Sequence, residues 1–83
     1  MNAEQAREWG ERGKELKQAH RYEEALAAYE QALELDAHLP QANLGLGTLL
    51  RRRGRIDEAR KFCKIASQSS DESIRDAALH CLQ

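Results

Sequence analysis

The chain has 83 residues, 13 Lys and Arg against 14 Asp and Glu, a net charge of −1 at pH 7, and 41% hydrophobic residues. This length suits one small domain, no apolar run approaches the roughly 18 residues that a membrane-spanning helix needs, and residues 1–20 lack the apolar segment of a signal peptide. We therefore predict a cytoplasmic protein whose two cysteines stay reduced.

The charges are unevenly distributed along the chain. Residues 1–39 carry 5 basic and 9 acidic side chains, whereas residues 40–83 carry 8 basic and 5 acidic ones. Neither half is a charged tail, which argues against strong non-specific binding to nucleic acid or membranes.

The first half of the chain predicts two helices, because small and apolar residues recur there at helical spacing. The first helix carries Ala6, Trp9, Gly13 and Leu16 on one face, and the second carries Tyr22, Ala25, Leu26, Tyr29, Ala32 and Leu33. His20 and Arg21 interrupt the pattern between them, and residues 36–39 form a loop.

The second half predicts three helices. Pro40 suits the first turn of a helix, where its missing N–H is not needed. The apolar faces comprise Ala42, Leu46, Gly47 and Leu50, then Ile56, Ala59, Phe62, Cys63 and Ala66, and finally Ile74, Ala77, Ala78, Cys81 and Leu82. Gly54 marks the first intervening turn, and Ser69 to Asp71 supply the loop and N-cap residues of the second.

The chain repeats with a period of 34 residues, which a self-comparison reveals. The identical pairs are Gly13 and Gly47, Leu16 and Leu50, Arg21 and Arg55, Glu24 and Glu58, Ala25 and Ala59, and Ala32 and Ala66. We therefore divide the chain into a first unit, 6–39, a second unit, 40–73, and a terminal helix, 74–83.

This period and pattern resemble the tetratricopeptide repeat. The matching positions are Trp9, Arg12, Gly13, Leu16, Ala25, Tyr29, Ala32 and Ala37 in the first unit, and Asn43, Leu46, Gly47, Leu50, Ala59, Cys63, Ala66 and Asp71 in the second. Arg12, Asn43 and Cys63 depart from the family's apolar or aromatic residues, and neither unit has its proline. The resemblance implies an all-α, right-handed helical repeat of five helices: two helix-turn-helix repeats followed by a capping helix.

The sequence contains no constellation that points to catalysis, a cofactor or a metal site, so we do not expect an enzyme. The histidines, His20, His38 and His80, are expected to be solvent-exposed. Cys63 is expected to be a small buried residue of the core. Trp9 is expected to be a large core residue. A disulfide between Cys63 and Cys81 is geometrically conceivable, but a reducing compartment disfavours it.

The resemblance also implies a function, since tetratricopeptide arrays bind peptide segments of other proteins in a concave groove. Carried onto this chain, the groove comprises Arg7, Lys14, Lys17, Gln41, Leu44, Thr48, Arg51, Arg52, Arg75 and Leu79. Its basic side chains are opposed only by Glu11, so we hypothesise an acidic partner segment with an apolar anchor near Leu44 and Leu79.

Three alternatives stay open at this point. The first is a self-associating structural unit that forms a homodimer, the second is the interaction domain of a longer enzyme, and the third is a nucleic-acid binder. The third depends on a basic cluster within residues 51–64, which is more simply interpreted as a solvated surface. No aromatic residue is interleaved in that cluster for base stacking, so nucleic acid is the least favoured partner.

Overall fold

The computed structural model describes residues 2–83, which form five helices and no strand. The helices are α1 (Asn2–Gln18), α2 (Tyr22–Leu35), α3 (Pro40–Arg52), α4 (Ile56–Ala66) and α5 (Glu72–Leu82). The predicted all-α helical repeat is therefore confirmed, and the breaks between helices fall at or next to the predicted turns.

Two of the loops share an unusual backbone conformation. His20, between α1 and α2, has φ of 63°, and Gly54, between α3 and α4, has φ of 84°. These residues are 34 positions apart, so the same left-handed turn closes both helix pairs. Glycine adopts this conformation without steric cost, whereas a histidine there is strained.

The other helix starts follow from local chemistry. Pro40 is the first residue of α3, after the extended Leu39. Asp71 is the N-cap of α5, where its Oδ1 accepts hydrogen bonds from the backbone N–H groups of Ser73 and Ile74. This carboxylate satisfies two of the amides that a helix start leaves unpaired.

The helices pack in two layers. Each helix contacts the next one along the chain, and α3 also contacts α1 and α5, whereas α2 and α4 do not contact each other within residues 2–83. Helices α1, α3 and α5 therefore form one layer, and α2 and α4 form the other. The molecule measures 33 × 27 × 19 Å along its principal axes, and its thinnest dimension corresponds to about two helix diameters.

Tyr29 is the largest fully buried side chain and joins the two helix pairs. Its ring lies between Gly13 of α1 and Gly45 of α3, and a Cβ atom at either glycine would come within 2.9 Å of Tyr29 Cε1. Glycine is required at both positions because any side chain would overlap the ring. On the other side of α3, Gly47 lies against Cys63 and the backbone of α4 in a similar close contact.

Asn43 departs from the repeat pattern and has a structural role. Its side chain is fully buried, and its Nδ2 donates hydrogen bonds to the carbonyl oxygens of Ala37, at 3.1 Å, and Leu39, at 3.0 Å. The amide thus holds the loop between the two helix pairs against α3, which the large apolar residue of the family pattern could not do.

Cys63 and Cys81 are joined in a disulfide, with their Cα atoms 6.2 Å apart. Both residues lie on buried helix faces, as predicted, but the expectation that they stay reduced is wrong for this structure. That expectation was based on the compartment alone, whereas the packing of α5 on α4 brings the two side chains within the range that a disulfide spans.

Candidate functional site

The layer of α1, α3 and α5 carries a cavity that we call the central cavity. Its volume is about 340 Å³. Its lining residues are Glu11, Lys14, Lys17, Tyr29, Gln41, Leu44, Gly45, Asp71 and Ile74. Apolar and charged groups therefore share this cavity, which lies over the buried ring of Tyr29.

A second cavity, which we call the basic pocket, adjoins the first and shares Lys17 with it. Its volume is about 600 Å³, and its lining residues are Lys17, Tyr22, Thr48, Arg51 and Arg52. Three of these five side chains are cationic at neutral pH and none is acidic. Together the two cavities form a groove whose character changes from mixed to positive along its length.

Two ionisable groups of the groove have shifted pKa values. The pKa of Lys17 is lowered by its partial burial and, to a smaller extent, by the neighbouring charge of Lys14. Burial, assisted by the negative charge of Glu11, raises the pKa of Tyr29 to about 12. Tyr29 is therefore neutral at physiological pH, and Lys17 lies in surroundings that do not compensate its charge.

Several contacts fix the walls of the basic pocket. The Arg52 guanidinium lies over the Tyr22 ring, with Cζ 4.5 Å from the ring centroid, and Tyr22 Oη is hydrogen-bonded to His20 Nδ1 at 2.7 Å. Arg51 Nη1 donates a long, 3.4 Å hydrogen bond to the His80 carbonyl of α5. The Tyr22 ring thus supports one guanidinium, and α5 supports the other.

In the central cavity, Gln41 Nε2 donates a 3.0 Å hydrogen bond to Glu11 Oε1, which connects α3 to α1. Asp71 also lines this cavity, although its carboxylate is occupied by the first turn of α5. The groove therefore contains two acidic residues, Glu11 and Asp71, and not Glu11 alone as predicted, because Asp71 was expected in a loop outside the groove.

Seven of the ten residues predicted for the groove line these two cavities: Lys14, Lys17, Gln41, Leu44, Thr48, Arg51 and Arg52. The other three line neither cavity. Arg7 lies in a separate depression among glutamates of α1. Arg75 lies 3.8 Å from Glu72 in an ion pair, and the side chain of Leu79 is 48% exposed.

Sequence reasoning missed four lining residues: Tyr22, Tyr29, Asp71 and Ile74. Tyr22 and Tyr29 belong to α2 in the other layer, and the Tyr29 ring reaches the groove beside Gly13 of α1 and Gly45 of α3. Gly45 was the signal available in the sequence for Tyr29, because a residue without a side chain on α3 leaves room for a large side chain from α2.

The basic cluster of residues 51–64 is divided by the fold. Arg51 and Arg52 line the basic pocket, whereas Arg53 and Arg55 form ion pairs with Glu23 and Glu58, respectively. The remaining members, Arg60, Lys61 and Lys64, lie on α4 around Leu82. The cluster therefore presents two separate basic surfaces rather than one continuous one.

The comparisons with known proteins agree with the geometry. A model of the tetratricopeptide repeat matches residues 3–73. Neither the curated proteins nor the solved structures gave a significant match. Repeats of this family are protein–protein interaction modules and not catalytic units. Within residues 2–83, no helix has the length and apolar character that crossing a membrane requires.

Proposed function

Because this chain belongs to the tetratricopeptide-repeat family, we propose that it binds a peptide segment of a partner protein in the groove formed by the central cavity and the basic pocket. It does so without catalysis of its own. The repeats are units 6–39 and 40–73, and the helix of residues 74–83 caps the second one.

The observation that carries this proposal is the continuity of the two cavities on one face. They meet at Lys17, and together they offer an apolar contact at Leu44 and Ile74 beside exposed polar groups. An extended segment placed along this face would bury apolar side chains in the central cavity and polar ones in the basic pocket. Peptide-recognition sites use apolar pockets for anchor side chains and basic clusters for acidic ones.

The partner segment is acidic. Lys14, Lys17, Arg51 and Arg52 face the groove, and within residues 2–83 none of them lies within 4.0 Å of a carboxylate oxygen. The groove carries these four cations against the two carboxylates of Glu11 and Asp71. Its net positive charge attracts an acidic segment and accelerates its association, and salt weakens this attraction because exposed charges are screened over about 8 Å.

Selection from a random peptide library, followed by fluorescence polarisation of the selected peptides, tests the proposal. The groove variant is Lys14→Glu with Arg51→Glu, and the matched control is Lys61→Glu with Lys64→Glu on α4. All four side chains are exposed, so circular dichroism should report folded protein in both cases.

We expect the groove variant to bind the selected acidic peptides at least about tenfold more weakly, and the control variant to bind them as the wild type does. The opposite pattern, with binding lost only in the α4 variant, would move the binding site to the outer basic surface. Equal binding by all three folded proteins would refute a charge-dependent groove.

A further inference from the structure

We propose that the basic pocket is a binding site for a phosphorylated side chain, a phosphoserine or phosphothreonine of the partner segment. This inference rests on the proposed function, because it identifies the ligand of one part of the same groove.

The basic pocket has a net positive charge. Lys17, Arg51 and Arg52 contribute three positive charges from two helices, and no acidic residue lines the pocket. Glu23 lies beside Arg52 in an adjoining depression but is paired with Arg53, and Glu24 is paired with Arg21. The pocket therefore holds cations without their own counter-ions.

The simpler explanation is that these cations stabilise the ends of their helices. Lys17 belongs to the last turn of α1, and Arg51 and Arg52 belong to the last turn of α3. A helix C-terminus carries about half a negative charge, so two of them offset only about one of the three positive charges. About two positive charges remain, which matches the charge of −1.5 to −2 on a phosphomonoester at neutral pH.

Neighbouring groups already position the hydrogen-bond donors of the pocket. The Tyr22 ring holds the Arg52 guanidinium at 4.5 Å, and the His80 carbonyl contacts Arg51 Nη1. A guanidinium presents its N–H groups in a planar fork that binds two phosphate oxygens at once. The pocket therefore supplies two supported guanidinium groups and one lysine that has little competing interaction.

A phosphomonoester fits this pocket better than a nucleic-acid backbone does. Binding of single-stranded nucleic acid depends on aromatic faces on which bases stack, and one face of Tyr22 is covered by Arg52. A backbone phosphodiester also carries only one negative charge. The remaining cations of the 51–64 cluster are either paired or lie on α4, so they do not continue the pocket into a track for successive phosphates.

Two-dimensional ¹⁵N NMR titration of the full chain tests the proposal. The probe is an acetylated and amidated Gly-phosphothreonine-Gly peptide, and the comparison peptide is the same sequence with threonine. The variants are Arg52→Gln and Lys17→Gln, and the matched control is Lys64→Gln, which removes a cation from α4. Each variant's spectrum is compared with that of the wild type, and agreement away from the substituted residue shows that the variant is folded.

We expect the phosphopeptide to produce saturable shifts of the Thr48, Arg51 and Arg52 amides that the threonine peptide does not produce. Loss of one charged hydrogen-bonding partner should weaken binding about tenfold in either pocket variant and leave the control unchanged. Binding should also weaken between about pH 7.5 and about pH 5, because phosphate loses its second charge near pH 6.

Three results would overturn the inference: equal shifts with the two peptides, shifts centred on α4, or tighter binding of a short thymidine oligonucleotide than of the phosphopeptide. Its failure is distinguishable from failure of the proposed function. If library peptides depend on Lys14 and Arg51 while the phosphopeptide leaves the pocket unshifted, the groove stands and the phosphate site falls. If the phosphopeptide binds the pocket but no library peptide depends on the groove, the phosphate site stands and the proposed peptide groove falls.

Discussion

Replacing Gly45 with alanine tests the close contact that joins the two repeats. A Cβ atom at this position would lie 2.5 Å from Tyr29 Cε1 and 2.6 Å from Cε2, about 1 Å closer than non-bonded carbon atoms approach. The ring cannot retreat easily, because Tyr29 is 1% exposed and Gly13 of α1 also lies against it. The substitution therefore forces the two helices apart.

The magnitude follows from two opposing effects. Overpacking a dense core costs about 1–3 kcal/mol, whereas replacing a glycine within a helix with alanine contributes about 0.5–1 kcal/mol of stability. We expect Gly45→Ala to lower the free energy of unfolding by about 1 kcal/mol, which for a domain of this size corresponds to a fall in Tm of about 4–8 °C.

Gly10→Ala is the matched control. Gly10 is also buried on α1, but a Cβ atom there would lie 3.4 Å from Leu39 Cδ2 and 4.0 Å from Gln41 Cδ, which are ordinary contacts with flexible side chains. We expect this variant to gain about 0.5–1 kcal/mol. Urea denaturation followed by circular dichroism compares both variants under one redox condition.

A result in which Gly45→Ala is as stable as Gly10→Ala would refute the contact between Tyr29 and α3. A further check is the double variant with Tyr29→Leu. A smaller side chain at position 29 removes the overlap, so the cost of Gly45→Ala should be smaller in that background than in the wild type.

Three further outcomes are expected from the structure, each measured by urea denaturation. Reducing the Cys63–Cys81 disulfide, which joins residues 18 positions apart, should lower the free energy of unfolding by about 3 kcal/mol, and an unchanged midpoint would refute the cross-link. Gly54→Ala should cost about 1 kcal/mol because of its positive φ. His20→Gly removes the same backbone strain but also the hydrogen bond to Tyr22, so its net effect should be smaller than that of Gly54→Ala. The pKa of Tyr29 is raised to about 12, so the neutral phenol contributes to the free energy of unfolding. This contribution is complete below the unfolded pKa of about 10 and is lost as the pH rises through 12. Tyr29→Phe should remove this loss of stability at alkaline pH.

The fold could be predicted from the sequence because its determinants are periodic. Gly13 and Gly47 occupy equivalent positions, and each permits a close helix contact that repeats down the chain. Periodicity also gave the positions of the turns, since His20 and Gly54 are one repeat apart. Structural features that both repeats share can therefore be predicted from a single sequence.

The parts that could not be predicted belong to one unit only. Gly45 lines the central cavity and also lies against the Tyr29 ring, and the first repeat has no equivalent glycine that would predict this contact. Asn43 was interpreted as a departure from the repeat pattern. Its structural role could not be predicted, because its hydrogen bonds to the preceding loop depend on three-dimensional proximity. Arg75 was assigned to the groove from its register on α5, whereas its side chain turns toward Glu72.

The disulfide also has a consequence for ligand binding. The covalent ring that it closes runs from Cys63 through the loop after α4 to Cys81, and it includes Asp71 and Ile74, which form one wall of the central cavity. Oxidation therefore restricts the movement of that wall, and a ligand that requires the wall in place should bind the oxidised protein more tightly. Thermodynamic reciprocity then requires the bound ligand to favour the disulfide by the same factor, so occupancy of the groove should make this cysteine pair harder to reduce.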